Sequence, residues 1–212
     1  MPFILFQLDP TRKDLTTELA SANEGFTMRG WAIWLTGMPG SGKSVLARLV
    51  AGKLLARRVQ AQVLSVEMVR ESLTPKPEYT EEERRIVYGA LVFVAKMLTQ
   101  NGTNVIIDAT ANRRMYRSAA RRSIPRFGEV YIKCPLEVCM ERERRRKRSF
   151  GAPSRIYDKA RTGASKTVPG IGVPYEAPLH PELEVNTSKL RPNQSAEQIV
   201  RFIIDRYSHC PH

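Results

Sequence analysis

The chain has 212 residues, enough for one sizeable core and few for a second, and its 42% hydrophobic and 26% charged content is that of an ordinary globular domain. No apolar run approaches the roughly 18 residues that span a bilayer, and the opening MPFILFQLDP lacks the basic flank and cleavage pattern of a secretory signal. Lys and Arg number 34 against 21 Asp and Glu, a net charge of +13, which points to nucleic acid, an acidic surface or a polyanionic small molecule as partner.

Residues 1–29 read as an extension ahead of the main domain, with FILFQL as an edge strand or packing segment and DLTTELASA as a short helix. From Trp31 the pattern alternates. WAIWLT is a short buried strand, and KSVLARLVAGKLLARR has helical spacing of apolar residues. AQVLSV is a second strand. TEEERRIVYGALVFVAKMLTQNG is a long amphipathic helix with acidic residues in its first turn and Gly102 at its end. NVIID is a third strand, NRRMYRSAARRS a basic helix, and EVYIKC a fourth strand. PLEVCMERERRRKR is a helix opened by proline, LEVNTS a late strand, and SAEQIVRFIIDRY the closing helix. Such alternation predicts an α/β fold: a mainly parallel five-stranded sheet with helices on both faces, in one domain over 30–212. A Gly- and Pro-rich stretch over about 149–181, with a helical turn or two near 154–162, is long enough to be a lid.

GMPGSGKS follows the first strand and opens a helix. In the loop Gly37, Met38, Pro39, Gly40, Ser41 and Gly42 the glycines let backbone N–H groups turn inward onto phosphate oxygens, with Val45 just beyond. Lys43 would reach the β- and γ-phosphates and Ser44 would ligate Mg²⁺, so ATP is the expected co-substrate and Mg²⁺ the expected cofactor on a P-loop NTPase-type three-layer fold. Phosphoryl transfer to a hydroxyl also needs a carboxylate near the acceptor and cations around the developing charge. Ligands of parallel sheets bind beyond the carboxyl ends of the strands. There the second strand offers Glu67, to orient the hydroxyl or help hold Mg²⁺, and Arg70, to grip an acceptor anion; the alternative is an exposed ion pair at a helix start. The third strand ends in Asp108, either a second carboxylate near the metal or a helix cap. The longest basic run, Arg142–Arg148, reads as a solvated helix face, with Arg142 and Arg146 one turn apart as candidates to neutralise the transferring group. No aromatic residues interleave it, which weighs against nucleic acid without removing that reading. Cys134, Cys139 and Cys210 form an odd set with no metal-type spacing. Cys134 and Cys139 read as buried thiols, and the set fits a reducing, cytoplasmic setting.

GWAIWLTGMPGSGKS, PLEVCMERE, IYDKARTG and VPGIGVPYEAPLHPELEVNT together resemble the adenylylsulfate kinases, from about Gly30 to the C-terminus. The resemblance implies phosphorylation of the 3′-hydroxyl of adenosine 5′-phosphosulfate (APS) by ATP, in a homodimer. It also implies a lid formed by the KAR and PYEAP region, with Lys159 and Arg161 near the nucleotides, and an acceptor side including Arg70, Tyr79 and Arg84. The chain departs from the family pattern where Ser65, Val66 and Glu67 stand for Asp-Gly-Asp. Val87 stands for asparagine, Gly89 for arginine, Ala111 for a serine, and Val168 for an adenine-stacking phenylalanine, so the acceptor pocket is expected to be altered. LSVEMVRESL, YTEEERRIVYGAL and NVIIDATANRRMYR are instead similar to kinases of the polynucleotide-kinase type. Two other readings therefore stay open: a kinase of another hydroxyl, on a nucleic-acid 5′ end or a small metabolite, and a nucleotide-binding protein without catalysis.

Overall fold

The computed structural model describes residues 29–146 and 153–207. The expected strand and helix before residue 29, Lys147 and Arg148 of the basic run, the first residues of the lid, and Cys210 lie outside the described residues. Five strands, β1 (Ala32–Thr36), β2 (Gln62–Ser65), β3 (Val105–Asp108), β4 (Phe127–Lys133) and β5 (Leu183–Asn186), form one sheet in the order β2-β3-β1-β4-β5. Every neighbouring pair is parallel. The connections contain α1 (Lys43–Leu55), α2 (Val66–Leu73), α3 (Glu81–Gln100), α4 (Arg114–Ser123), α5 (Leu136–Arg145) and α6 (Ile156–Arg161), and α7 (Pro192–Tyr207) closes the domain.

The central strand shows why the sheet must be covered twice. All five residues of β1 are buried, and alternate side chains leave on opposite faces. Ala32 and Trp34 join Val87, Leu91, Ile107 and Ala120 beneath α3 and α4. Ile33 and Leu35 join Leu46, Val50, Ile106, Ile199 and Ile203 beneath α1 and α7. A third cluster of Cys134, Cys139, Tyr157 and Val168 fastens α5 to α6 and the segment after it.

Helix starts are set by local chemistry. Ser65 ends β2 and caps α2 by accepting the Glu67 N–H at 3.2 Å, so strand passes into helix without a loop. Thr80 caps α3 by accepting the Glu83 N–H at 3.2 Å, ahead of three glutamates suited to the positive helix end. Helix α1 stops at Leu55, earlier than apolar spacing predicts, because Arg58 turns to φ +61° and the Val59 N–H closes back on the Leu54 carbonyl at 3.0 Å. The parallel register pairs Asp108 with both Leu35 and Ser65. The loop after β1, the start of α2 and the end of β3 are thereby brought to one rim of the sheet.

Candidate active site

At that rim lies a cavity of about 430 Å³, lined by Gly40, Gly42, Lys43 and Ser44 of the loop and by Glu67, Arg70, Tyr79 and Asp108. The phosphate loop is braced from three sides. Tyr157 of α6 donates to the Pro39 carbonyl at 2.8 Å. Thr187, just after β5, donates to the Ser41 carbonyl at 2.9 Å. Gly40, at φ +82°, lies so close to α5 that a Cβ there would sit 2.3 Å from the Cys139 carbonyl oxygen. Lys43 is buried, and its ammonium donates to the carbonyls of Gly37 and Met38 at 2.9 and 3.0 Å. Burial lowers its pKa, and Asp108 and Glu67 pull it back up. A buried cation leaning on carboxylates at the mouth of a phosphate loop suits a polyanion.

Glu67 occupies the first turn of α2. Burial raises its pKa, Arg70 opposes the shift and the nearby Asp108 adds to it. The cap of α2 is Ser65 and the residue preceding α4 is Arg113, so Asp108 caps neither helix. Arg70 is not an exposed partner of Glu67. It is 5% exposed, forms a short ion pair with Glu83 and lies 4.5 Å from the Tyr79 ring centroid.

The other expected site residues divide. Lys159 lines the cavity. Arg161 is exposed, outside the lining. Arg84 lines it, but its Nε, Nη1 and Nη2 donate to the Tyr79 carbonyl, the Asn112 side chain and the Thr167 carbonyl at 3.0, 3.2 and 2.6 Å. It is a strut joining α3, the loop after β3 and the segment after α6. Arg142 and Arg146 line the cavity too; Arg142 donates to Thr187 at 3.2 and 2.7 Å, and Arg146 bonds the Pro153 carbonyl at 2.7 Å and lies 3.6 Å from Glu143.

The stretch expected to form a lid divides in two. Pro153, Ile156, Lys159, Ser165, Thr167, Val168 and Pro169 line the cavity. The PYEAP stretch instead straps the loop to α4: the Glu176 carboxylate accepts the Arg114 N–H at 2.8 Å and its carbonyl accepts from Arg117 at 2.6 Å. Tyr175 meets the Thr36 hydroxyl at 3.0 Å. Its own pKa is raised by burial. Sequence reasoning missed Tyr88, which lines the cavity with its hydroxyl accepting the Ala111 N–H at 3.0 Å. Its position one turn after Arg84 was the available signal. It also missed Glu143, a carboxylate 3% exposed at the cavity wall.

Much of the basic charge is locally answered. Arg113 pairs with Glu81, Arg117 with Glu129 and Arg121 with Glu182, at 2.9, 2.5 and 2.5 Å. Arg144 and Arg145 both pair with Glu141.

Comparison with known proteins decides between the two resemblances. The family model described as "Adenylylsulphate kinase" matches residues 29–186. The chain belongs to the adenylylsulfate kinase family. It is 34% identical over 174 residues to a probable adenylyl-sulfate kinase of Pyrococcus abyssi, covering 82% of this chain and 95% of that one. With an adenylyl-sulfate kinase of Halothermothrix orenii it shares 34% over 178 residues, 84% and 91% of the two chains. A solved structure of the Mycobacterium tuberculosis APS kinase CysC, in complex with AMPPNP and APS, superposes with a TM-score of 0.74 at 30% identity, covering 82% of this chain and 98% of that one.

Set against the family pattern, the departures are not all in the pocket. Val87 is in the core beneath α3 and Gly89 faces outward on the same helix. Ala111 is buried in the segment after β3, at φ +42°. Val168 alone of the four lines the cavity.

Proposed function

We propose that the protein transfers the γ-phosphoryl group of ATP to the 3′-hydroxyl of adenosine 5′-phosphosulfate. The observation that carries this reading is the single cavity lined by Lys43 and Ser44 together with Glu67, Arg70 and Asp108. Donor phosphate and acceptor hydroxyl can meet there without water between them. The loop N–H groups and Lys43 hold the β- and γ-phosphates. Glu67 orients the acceptor hydroxyl and takes its proton as the oxygen bonds to the γ-phosphorus and the bond to ADP breaks. A carboxylate whose pKa is raised by burial is a better base for that proton. Arg70 meets the acceptor's phosphosulfate. Tyr79 supplies an apolar wall, and Arg84 holds that wall against the lid. Lys159 and the segment to Pro169 close over both nucleotides, and Arg161 serves the lid from outside the cavity.

The donor set fits Mg²⁺. Ser44, Glu67 and Asp108 offer only hard oxygen ligands, and no group of three or more His, Cys, Asp or Glu among the described residues could hold a metal by itself. That suits an ion held by one or two protein groups plus substrate phosphates and water. Ser44 and Asp108 would hold it, with Glu67 reaching it only through water, and when bound it would neutralise charge on the phosphates. The buried free thiols Cys134 and Cys139 fit a reducing cytoplasm, and no helix among the described residues is long and apolar enough to cross a membrane. A homodimer is the assembly we propose. The test is steady-state ATP turnover by purified protein with Mg²⁺ and APS. Turnover that requires APS is expected; ATP bound but no turnover with APS would refute the reading.

A further inference from the structure

Glu83 stands at the third position of α3, where a carboxylate commonly folds back to cap its own helix. It does something else. One of its oxygens forms the short ion pair with Arg70, and both side chains are nearly buried, at 6% and 11% exposure. Its other oxygen accepts the N–H groups of Glu78 and Tyr79 at 2.7 and 2.8 Å. Tyr79 needs that hold, because its φ of +59° lies in the left-handed region that side-chain-bearing residues seldom occupy. The Tyr79 ring in turn packs against the Arg70 guanidinium, 4.5 Å from its centroid. One carboxylate thus fixes the charge on α2 and the aromatic wall ahead of α3, both of which line the cavity. Glu83 is outside that lining, so it acts through the other two. The Nε of Arg70 is buried with no hydrogen-bond partner among the described residues.

We infer that Glu83 is a positioning residue for the acceptor: it clamps Arg70 and Tyr79 as one unit whose alignment sets acceptor affinity and leaves ATP binding alone. This rests on Arg70 being the acceptor's anion contact, as proposed above. Glu83→Gln keeps the shape and one oxygen for the two N–H groups, and removes the charge that pins Arg70. With APS as the varied substrate, the acceptor KM is expected to rise about tenfold, while the KM for ATP stays within about twofold. Glu83→Asp keeps the charge one methylene short and is expected to fall between Gln and wild type. Arg70→Ala should raise the acceptor KM at least as much, and adding Glu83→Gln to it should change little more, because the two act as a unit. A residue that merely caps the helix would lower the melting temperature without moving one KM against the other. If Arg70→Ala raises the acceptor KM and Glu83→Gln does not, the clamp is wrong and the acceptor reading survives. If neither variant moves it, Arg70 does not meet the acceptor and both fall.

Discussion

The phosphate loop offers a comparison of two glycines that differ in one physical respect. Gly40 and Gly42 both have left-handed backbone, at φ +82° and +102°. An alanine at either would carry the strain of that region, about 1–2 kcal/mol. Beyond Gly42 a Cβ meets nothing within 4 Å, whereas beyond Gly40 it meets the Cys139 oxygen at 2.3 Å and the Cys139 carbonyl carbon at 2.9 Å. Both atoms are backbone of α5, which cannot rotate away. Reaching an ordinary contact needs a retreat of about 1 Å, and overpacking of this kind costs about 1–3 kcal/mol more. Chemical denaturation without nucleotide should therefore find Gly42→Ala destabilised by about 1–2 kcal/mol and Gly40→Ala by about 2–5 kcal/mol. The same displacement moves the loop off its phosphates, so turnover of Gly40→Ala should fall about 100-fold. Equal destabilisation by the two substitutions would show that the packing of the loop on α5 contributes nothing.

Other expectations follow from the same geometry. Lys43→Ala should abolish transfer, read as loss of APS-dependent ATP turnover. Glu67→Gln should keep ATP binding and lower turnover, and unchanged turnover would remove Glu67 from the mechanism. The raised pKa of Glu67 sets two pH dependences. As base it must be ionised, so kcat/KM should fall on acidification through a pKa above the ordinary carboxylate range, and this limb should vanish in Glu67→Gln. For stability the sign is opposite: the folded state binds the proton more tightly than the unfolded state, so the contribution of Glu67 is full below its unfolded pKa and lost as pH rises through the folded one. Glu67→Gln should then melt higher than wild type at neutral pH, with the gap closing in acid. Arg117, 1% exposed, holds Glu129 at 2.5 Å and the Glu176 carbonyl at 2.6 Å. Arg117→Met should cost about 3–5 kcal/mol, on the order of 10 °C in Tm for a domain of this size, and adding Glu129→Gln should restore part of it. A loss below about 1 kcal/mol would show that the strap on α4 is held by other contacts.

What could be read from the chain was what local rules dictate. Trp31–Thr36 has no polar face, so it had to be a strand covered twice; the glycines and Lys43 of the next stretch have few uses but a phosphate cradle. What could not be read depended on which way a side chain points once elements pack. Arg84 and Tyr88 share the cavity side of α3, one turn apart, while Val87 turns into the core and Gly89 outward. Departures from a family pattern at 87 and 89 therefore carry less information on the acceptor than those at Ser65, Val66, Glu67 and Val168, which line the cavity. The sequence showed α4 only as a basic helix; that Arg114, Arg117 and Arg121 pair with Glu176, Glu129 and Glu182, from β4 and the segment before β5, is made by the fold. The resemblance placed PYEAP in a lid; its anchors on α4 and β1 are made by the fold, not by its neighbours in sequence.

The most direct test of the account is the identity of the phosphorylated product. Phosphorus NMR of a reaction containing the protein, ATP, Mg²⁺ and APS should show a phosphomonoester on the 3′-oxygen of the sulfonucleotide, formed in step with ADP and missing with Lys43→Ala. Inorganic phosphate in place of that ester, or ADP formed at the same rate without APS, would mean that the chamber between Lys43 and Glu67 delivers the phosphoryl group to water, and the proposed acceptor would be wrong.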